Sequence, residues 1–267
     1  MTVAPPARIN LIAVIVATTA ALIARAWLQV VLLAGDLPKD YAADLSYLVV
    51  PPILLILLAP VLSKDRSFLI EQFRYPGISL SIVFKAVLIG LLLRIASWAK
   101  LVAGVSFGVY RSDDPLAIEG PQFAFHCASP HVVVLGFVVM AVMVPVIEEV
   151  THRAYIQTAF HDRGPFIAIL VSATLFAIFH PTASWAFTFF AGVVLGSQYW
   201  YSGSLWPSLI SHATVNGLIQ VDWRCLTVEW NPRVTELPIL SSGIPAVLVL
   251  LTSIIVIFIL VRKRRGG

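Results

Sequence analysis

Two adjacent carboxylates, Glu148 and Glu149, are followed by Arg153 near the end of an almost uncharged apolar run that begins at His131. Positions four apart share one face of a helix, so Glu149 neighbours Arg153 and Glu148 neighbours His152. Adjacent residues point about 100° apart around the axis, so the two carboxylates are expected to do different work. The expected division is that Arg153 neutralises Glu149 while Glu148 is aimed at the interior, where a poorly solvated carboxylate suits a general base acting on water. Two further helices bring polar groups into apolar surroundings. His180 closes the run Phe176-Ala177-Ile178-Phe179-His180, and His212 lies inside another run with Asn216 one turn later. A shared polar cavity is the least costly way to satisfy such groups at bilayer depth. Counted from the expected cytoplasmic helix ends, Glu148, His180 and His212 lie about 18, 22 and 12 Å in, depths compatible with one site. In that site His180 would hold the water, and His212 with Asn216 would donate hydrogen bonds to a developing oxyanion. Parts of this kind suit hydrolysis of an acyl bond, a peptide bond first of all. The competing reading is a helix end with Glu148, Glu149 and Arg153 simply solvated, since a helix over 131–160 would be about 45 Å long and part of it must leave the hydrocarbon.

The elements that must position these residues follow from composition. Of the 267 residues, 59% are hydrophobic and 12% charged, with a mean hydropathy of +0.90; a soluble domain carries about 25% charge. A span needs roughly 17 to 25 apolar residues, and lipid leaves the backbone only helix or closed barrel. The runs are long and do not alternate, so the expected fold is all-α, a polytopic bundle of about eight membrane helices. They fall near 9–34, 41–62, 78–103, 131–160, 165–180, 185–201, 204–221 and 243–261, with Pro51-Pro52 expected to kink or break the second. Residues 1–267 read as a single membrane domain, with 130–220 as its helical core. The run after Asn10 is too long for a signal-peptide core and reads as a retained first span.

Lys and Arg in short loops set orientation. The stretch Arg262-Lys263-Arg264-Arg265, with Lys64, Arg66, Arg74 and Arg163, places both termini in the cytoplasm, and the segment 104–130 opposite carries Asp113, Asp114 and Glu119 against Arg111. The net charge of +4 is therefore a topology signal. No basic stripe interleaved with aromatics accompanies it, which argues against nucleic acid as a partner.

The signatures Glu148-Glu149…Arg153, Phe176…His180 and His212…Asn216 resemble the EExxxR, FxxxH and HxxxN pattern of the CAAX protease and bacteriocin-processing family, intramembrane glutamate-type endopeptidases related to the type II prenyl-protein endopeptidases. The resemblance covers about 130–220. It implies that Glu148 is the catalytic base, that His180 assists the water, that His212 and Asn216 form the oxyanion site, and that Glu149 and Arg153 fix the first glutamate. His152 stands outside the pattern. The implied partners are membrane lipid and a protein or peptide with a membrane-associated C-terminus, in a bacterial inner membrane. Family members have been described as metalloproteases, and histidines with carboxylates can bind zinc. This chain lacks HExxH and carries its histidines on separate helices, so spacing alone leaves the metal open, and the favoured expectation is no required cofactor, with zinc as the alternative.

Other features have plainer readings. Gly192 and Gly196 form a GxxxG that permits close helix packing. Arg25, Lys85, Arg94 and Lys100 are expected to snorkel to an interface, with Arg94 also a candidate for a substrate carboxylate or an acidic partner. Cys127 and Cys225 fall in loops on the same non-cytoplasmic face, where a bridge and two unpaired thiols are both open. The functional alternatives are a catalytically silent binding or immunity protein on the same fold, a proton-coupled carrier using the glutamates and histidines as a relay, and a bis-histidine haem site.

Overall fold

A computed structural model describes residues 8–37, 39–74, 78–109, 130–220 and 239–261. Cys127, Cys225 and the basic stretch 262–265 lie outside the described residues, and with them the expectation of a bridge. Among the described residues the secondary structure is helical throughout: α1 (Arg8–Ala34), α2 (Lys39–Tyr47), α3 (Val50–Lys64), α4 (Arg66–Arg74), α5 (Leu80–Ser106), α6 (130–159), α7 (Gly164–Ile178), α8 (Trp185–Ser202), α9 (Leu205–Ile219) and α10 (Ile239–Val261), with short 3₁₀ turns at His161–Arg163 and Thr182–Ser184. Among these residues, six helices are long and apolar enough to cross a membrane: Asn10–Ala34, Tyr41–Lys64, Leu80–Gly104, His131–Gln157, His161–Ile178 and Gly243–Val261. The chain is an integral membrane protein built as a polytopic helical bundle. Its many exposed large apolar side chains, Ile12, Val16, Ile23 and Trp27 along α1 among them, are what a lipid-facing surface requires and a water-facing one avoids.

The stretches expected at 185–201 and 204–221 are helical but do not join those six. Helix α9 has only 15 residues, about 22 Å of rise. Helix α8 carries Thr188, Gln198 and Tyr199 among its buried residues. Both are interior helices that turn polar groups toward neighbours. The break near Pro51-Pro52 falls at Leu48 and Val49, and the two prolines occupy the first turn of α3, where a missing N–H costs nothing.

The connection expected as a loop at 63–77 contains a helix, α4, docked by its polar groups. Gln72 is buried and accepts from the Tyr199 hydroxyl at 2.6 Å. The carbonyls of Gln72 and Phe73, at the end of α4, accept from Ser204 Oγ at 3.3 Å and Trp206 Nε1 at 2.6 Å. Terminal carbonyls have no intrahelical partner, so these side chains cap α4 from outside. The same turn joins α8 to α9. Gly203, at φ 69°, ends α8 in the left-handed region, and Ser204 caps α9 by accepting from the Trp206 N–H.

Packing is close where small residues allow it. A Cβ on Gly192 would stand 2.9 Å from the Ala173 Cα of α7, and one on Gly196 would stand 2.8 Å from Gln157 Oε1 of α6. The GxxxG pair is therefore a packing device, and it brings α8 against both helices. Gln157 uses the space to donate to the Gly196 carbonyl at 2.8 Å. Two apolar clusters hold the bundle. One joins α1, α3 and Phe68 to Tyr155, and the other joins α5 and α10 to Val194 and Val215.

Candidate active site

Helix α6 is not uniformly α. Its residues Phe137–Met143 and Val150–Gln157 are wound as π-helix, flanking the α-helical Val144–Glu149. Proline explains part of this. In π register the amide that should reach the Met140 carbonyl belongs to Pro145, which has no N–H, and the Val144 N–H is already spent on the Val139 carbonyl. The orphaned Met140 carbonyl accepts instead from Asn216 Nδ2 of α9, at 2.9 Å. Asn216 thus pins α9 to the widened turn just before the glutamates, a bond that leaves its second amide hydrogen available. Such widened turns recur at functional sites.

One turn further on, α6 delivers the charged residues. Glu149 is 1% exposed and Arg153 is fully buried, with Arg153 Nε 3.3 Å from Glu149 Oε2. The alignment is that of a charge contact, since neither atom completes a hydrogen bond. Arg153 Nη1 donates to Ser172 Oγ of α7 at 2.9 Å, Ser172 Oγ donates to the His152 carbonyl at 2.8 Å, and the guanidinium carbon lies 5.1 Å from the centre of the Phe176 ring. A buried ion pair needs such additional partners to offset desolvation of its charges.

His212 joins the two glutamates. Its Nδ1 is 2.9 Å from Glu149 Oε1, and its Nε2 is 3.4 Å from Glu148 Oε2. The second contact lies at ion-pair distance without hydrogen-bond alignment, so Glu148 Oε2 has no hydrogen-bond partner among the described residues. Glu148 is 20% exposed against 1% for Glu149. The expected asymmetry is present with its depth reversed: the glutamate paired with arginine is the deeply buried one, and Glu148 lies nearer the surface, at the wall of a cleft.

That cleft holds about 20 Å³ of free volume, room for about one water. Glu148, Thr151 and His152 of α6 face Thr18 and Leu22 of α1 across it, with Tyr47, Val50 and Phe179 completing the wall. His152, set aside in the sequence as a mere neighbour of Glu148, is 2% exposed and holds the Glu148 main chain, its Nδ1 lying 2.9 Å from the Glu148 carbonyl. Its ring packs edge-on against Phe176 and Phe179. Phe176 is the common surface of the site, with His212 5.7 Å away edge-on and His180 4.7 Å away, centre to centre. His180 Nδ1 lies 2.7 Å from the Phe176 carbonyl, and the His180 carbonyl accepts from Trp185 Nε1 at 2.8 Å.

Glu148, Glu149, Arg153 and His212 therefore meet directly, Asn216 holds the adjacent backbone, and His180 packs on the Phe176 ring. Ser172 and Phe176 enter the site as supports. The wall from α1 and α2 has no short motif to announce it. Arg25, expected to snorkel, turns inward: its Nε donates to Ser46 Oγ at 3.1 Å and its guanidinium lies 4.2 Å over the Tyr47 ring, next to the cleft. Zinc needs three or four converging ligands. Among the described residues no group of three or more His, Cys, Asp or Glu side chains is arranged to hold a metal ion.

Comparison with curated proteins and with solved structures gives no match. Comparison with family models matches residues 130–218 to the family described as Type II CAAX prenyl endopeptidase Rce1-like. The match spans about a third of the chain, the part that includes α6, α7, α8 and nearly all of α9. It is the family class that the three motifs resemble, and residues 130–218, with both glutamates, Arg153, His180, His212 and Asn216, are similar to it.

Proposed function

We propose that the protein is an intramembrane endopeptidase that hydrolyses a peptide bond near the C-terminus or membrane anchor of a protein substrate. The observation that carries this reading is the inequality of two neighbouring glutamates. Glu149 is sealed against Arg153 and His212, whereas Glu148 borders a cleft sized for one water and keeps an oxygen without a hydrogen-bond partner.

In this reaction Glu148 takes a proton from the water, and the resulting hydroxide attacks the carbonyl carbon. Negative charge then develops on the carbonyl oxygen, and donors must stand ready for it. The second amide hydrogen of Asn216 serves there, and His212 Nε2 joins it when the ring carries a proton on each nitrogen, since the Nδ1–H is held by Glu149 Oε1. Collapse of the tetrahedral intermediate breaks the C–N bond as protonated Glu148 returns its proton to the leaving amine. His180, with Nδ1–H donated to the Phe176 carbonyl, presents its Nε2 lone pair to a hydrogen of the water. Glu149 and Arg153 act through His212 by fixing its ring. Leu22, Val50 and Phe179 give the cleft an apolar lining beside Glu148. The name of the matched family points to proteins with a prenylated C-terminus. The basic stretches point to a bacterial inner membrane with both termini cytoplasmic.

The test is reconstitution of the wild type and Glu148→Gln in lipid vesicles with a membrane-anchored substrate library, read by mass spectrometry. Products that appear only with the wild type support the reading, and identical product sets overturn it.

A further inference from the structure

Arg25 lies within the span Asn10–Ala34, about 22 Å along the helix from one end and about 14 Å from the other. A cation at that depth is costly unless it meets an anion or lines a polar path. Its neighbours on α2 hold it without neutralising it. Ser46 is fully buried and donates its one hydroxyl hydrogen to the Ala43 carbonyl at 2.6 Å, so it can only accept from Arg25 Nε, at 3.1 Å. The Tyr47 ring covers one face of the guanidinium, whose central carbon is 4.2 Å from the ring centroid. The edge formed by the two Nη groups makes no hydrogen bond or ion pair among the described residues. That edge is not sealed, since Arg25 is half-buried and neither Nη is fully buried. Arg25 also borders the cleft: Tyr47 lines it with Glu148, and so do Leu22 and Thr18, one and two turns before Arg25 on the same face of α1.

Resting on the peptidase reading, we propose that Arg25 binds the free C-terminal carboxylate of the substrate while the scissile bond lies beside Glu148. With Nε held by Ser46, the two Nη groups form the fork that matches the two oxygens of a carboxylate. Along α1, Arg25 is about 5 Å beyond Leu22 and about 10 Å beyond Thr18, so the carboxylate that reaches it ends a segment of about one to three extended residues past the scissile bond. The substrate is then a chain cut near its free C-terminus, the first of the two positions that the reading allows.

The test uses the full chain in lipid vesicles and membrane-anchored peptides made in two forms, with a C-terminal carboxylate and with a C-terminal amide, and without Asp or Glu in the last few positions. Rates of product formation are read by mass spectrometry, with Glu148→Gln alongside. The wild type is expected to cleave the carboxylate form about 10-fold or more faster. Arg25→Gln should erase that preference, and Arg25→Lys, which keeps the charge without the fork, should keep part of it. Equal cleavage of the two forms by the wild type overturns the proposal and needs no variant, so the test holds even where Arg25→Gln does not fold. A wild-type preference retained in Arg25→Gln also overturns it, and is the outcome expected if Arg25 serves only the buried Asp44, one turn before Tyr47 on α2. No product, or products that persist in Glu148→Gln, refutes the peptidase reading and the proposal with it.

Discussion

Replacing Arg153 with alanine removes the guanidinium charge that touches Glu149, at a place where neither side chain has more than 1% exposure. At 3.3 Å and an effective dielectric near 20, the attraction lost is about 5 kcal/mol. Part of it is recovered by the remaining 2.9 Å contact with His212 and by water entering the space left by the arginine stem. The expected net loss is about 3–5 kcal/mol, the range for breaking a buried pair from one side. Glu149→Gln with Arg153→Met keeps an acceptor for His212 and fills the stem without leaving a charge. That double variant should lie within about 2 kcal/mol of the wild type, so the two substitutions couple strongly. Denaturant unfolding of the detergent-solubilised protein reads both quantities from midpoint and slope. A loss below about 1 kcal/mol for Arg153→Ala, or a double variant as unstable as the sum of its singles, would refute the claim that Arg153 holds the buried glutamate.

Four other substitutions probe separate parts of the structure. Asn216→Leu leaves the Met140 carbonyl unpaired beside Pro145 and should cost about 1–3 kcal/mol; a stability equal to the wild type in the same unfolding assay would show that this bond does not secure α9. Gly192→Val forces a Cβ to within 2.9 Å of the Ala173 backbone and should destabilise by about 1–3 kcal/mol through overpacking, whereas Gly203→Ala, which meets open space but needs φ 69°, should cost no more than about 1 kcal/mol. Glu148→Gln is nearly isosteric at a cleft wall and should leave the unfolding midpoint unchanged while turnover falls by about 10²-fold or more, the usual contribution of a general base. A parallel loss of stability would make Glu148 a structural residue.

The parts of the site legible in sequence are those governed by a single helix. The i,i+4 relation of Glu149 and Arg153 follows from helical geometry, and the structure has that pair in contact. That His212 reaches both carboxylates depends on the separation and rotation of two helices, which spacing along one chain does not encode. Asn216 shows a subtler limit. Pro145 announces a missing N–H, but the orphaned carbonyl appears only because the preceding turn is wound as π-helix. His152 was set aside because it lies outside the motif, and its contact is with the Glu148 backbone, which no side-chain pattern records. The amphipathic α4 was hidden by its charges: Arg66, Glu71 and Arg74 read as a loop, whereas Phe68 and Gln72 supply its buried face. Arg25 read as a snorkelling cation because its partners Ser46 and Tyr47 belong to a separate short helix.

The central claim is that Glu148 activates water for peptide hydrolysis in the membrane. Its most direct measurement is a quantitative comparison of membrane-protein C-termini between cells carrying the wild type and cells carrying Glu148→Gln at equal abundance. A defined set of proteins should keep an uncleaved C-terminal segment only in the variant cells. Indistinguishable C-termini in the two strains would contradict it.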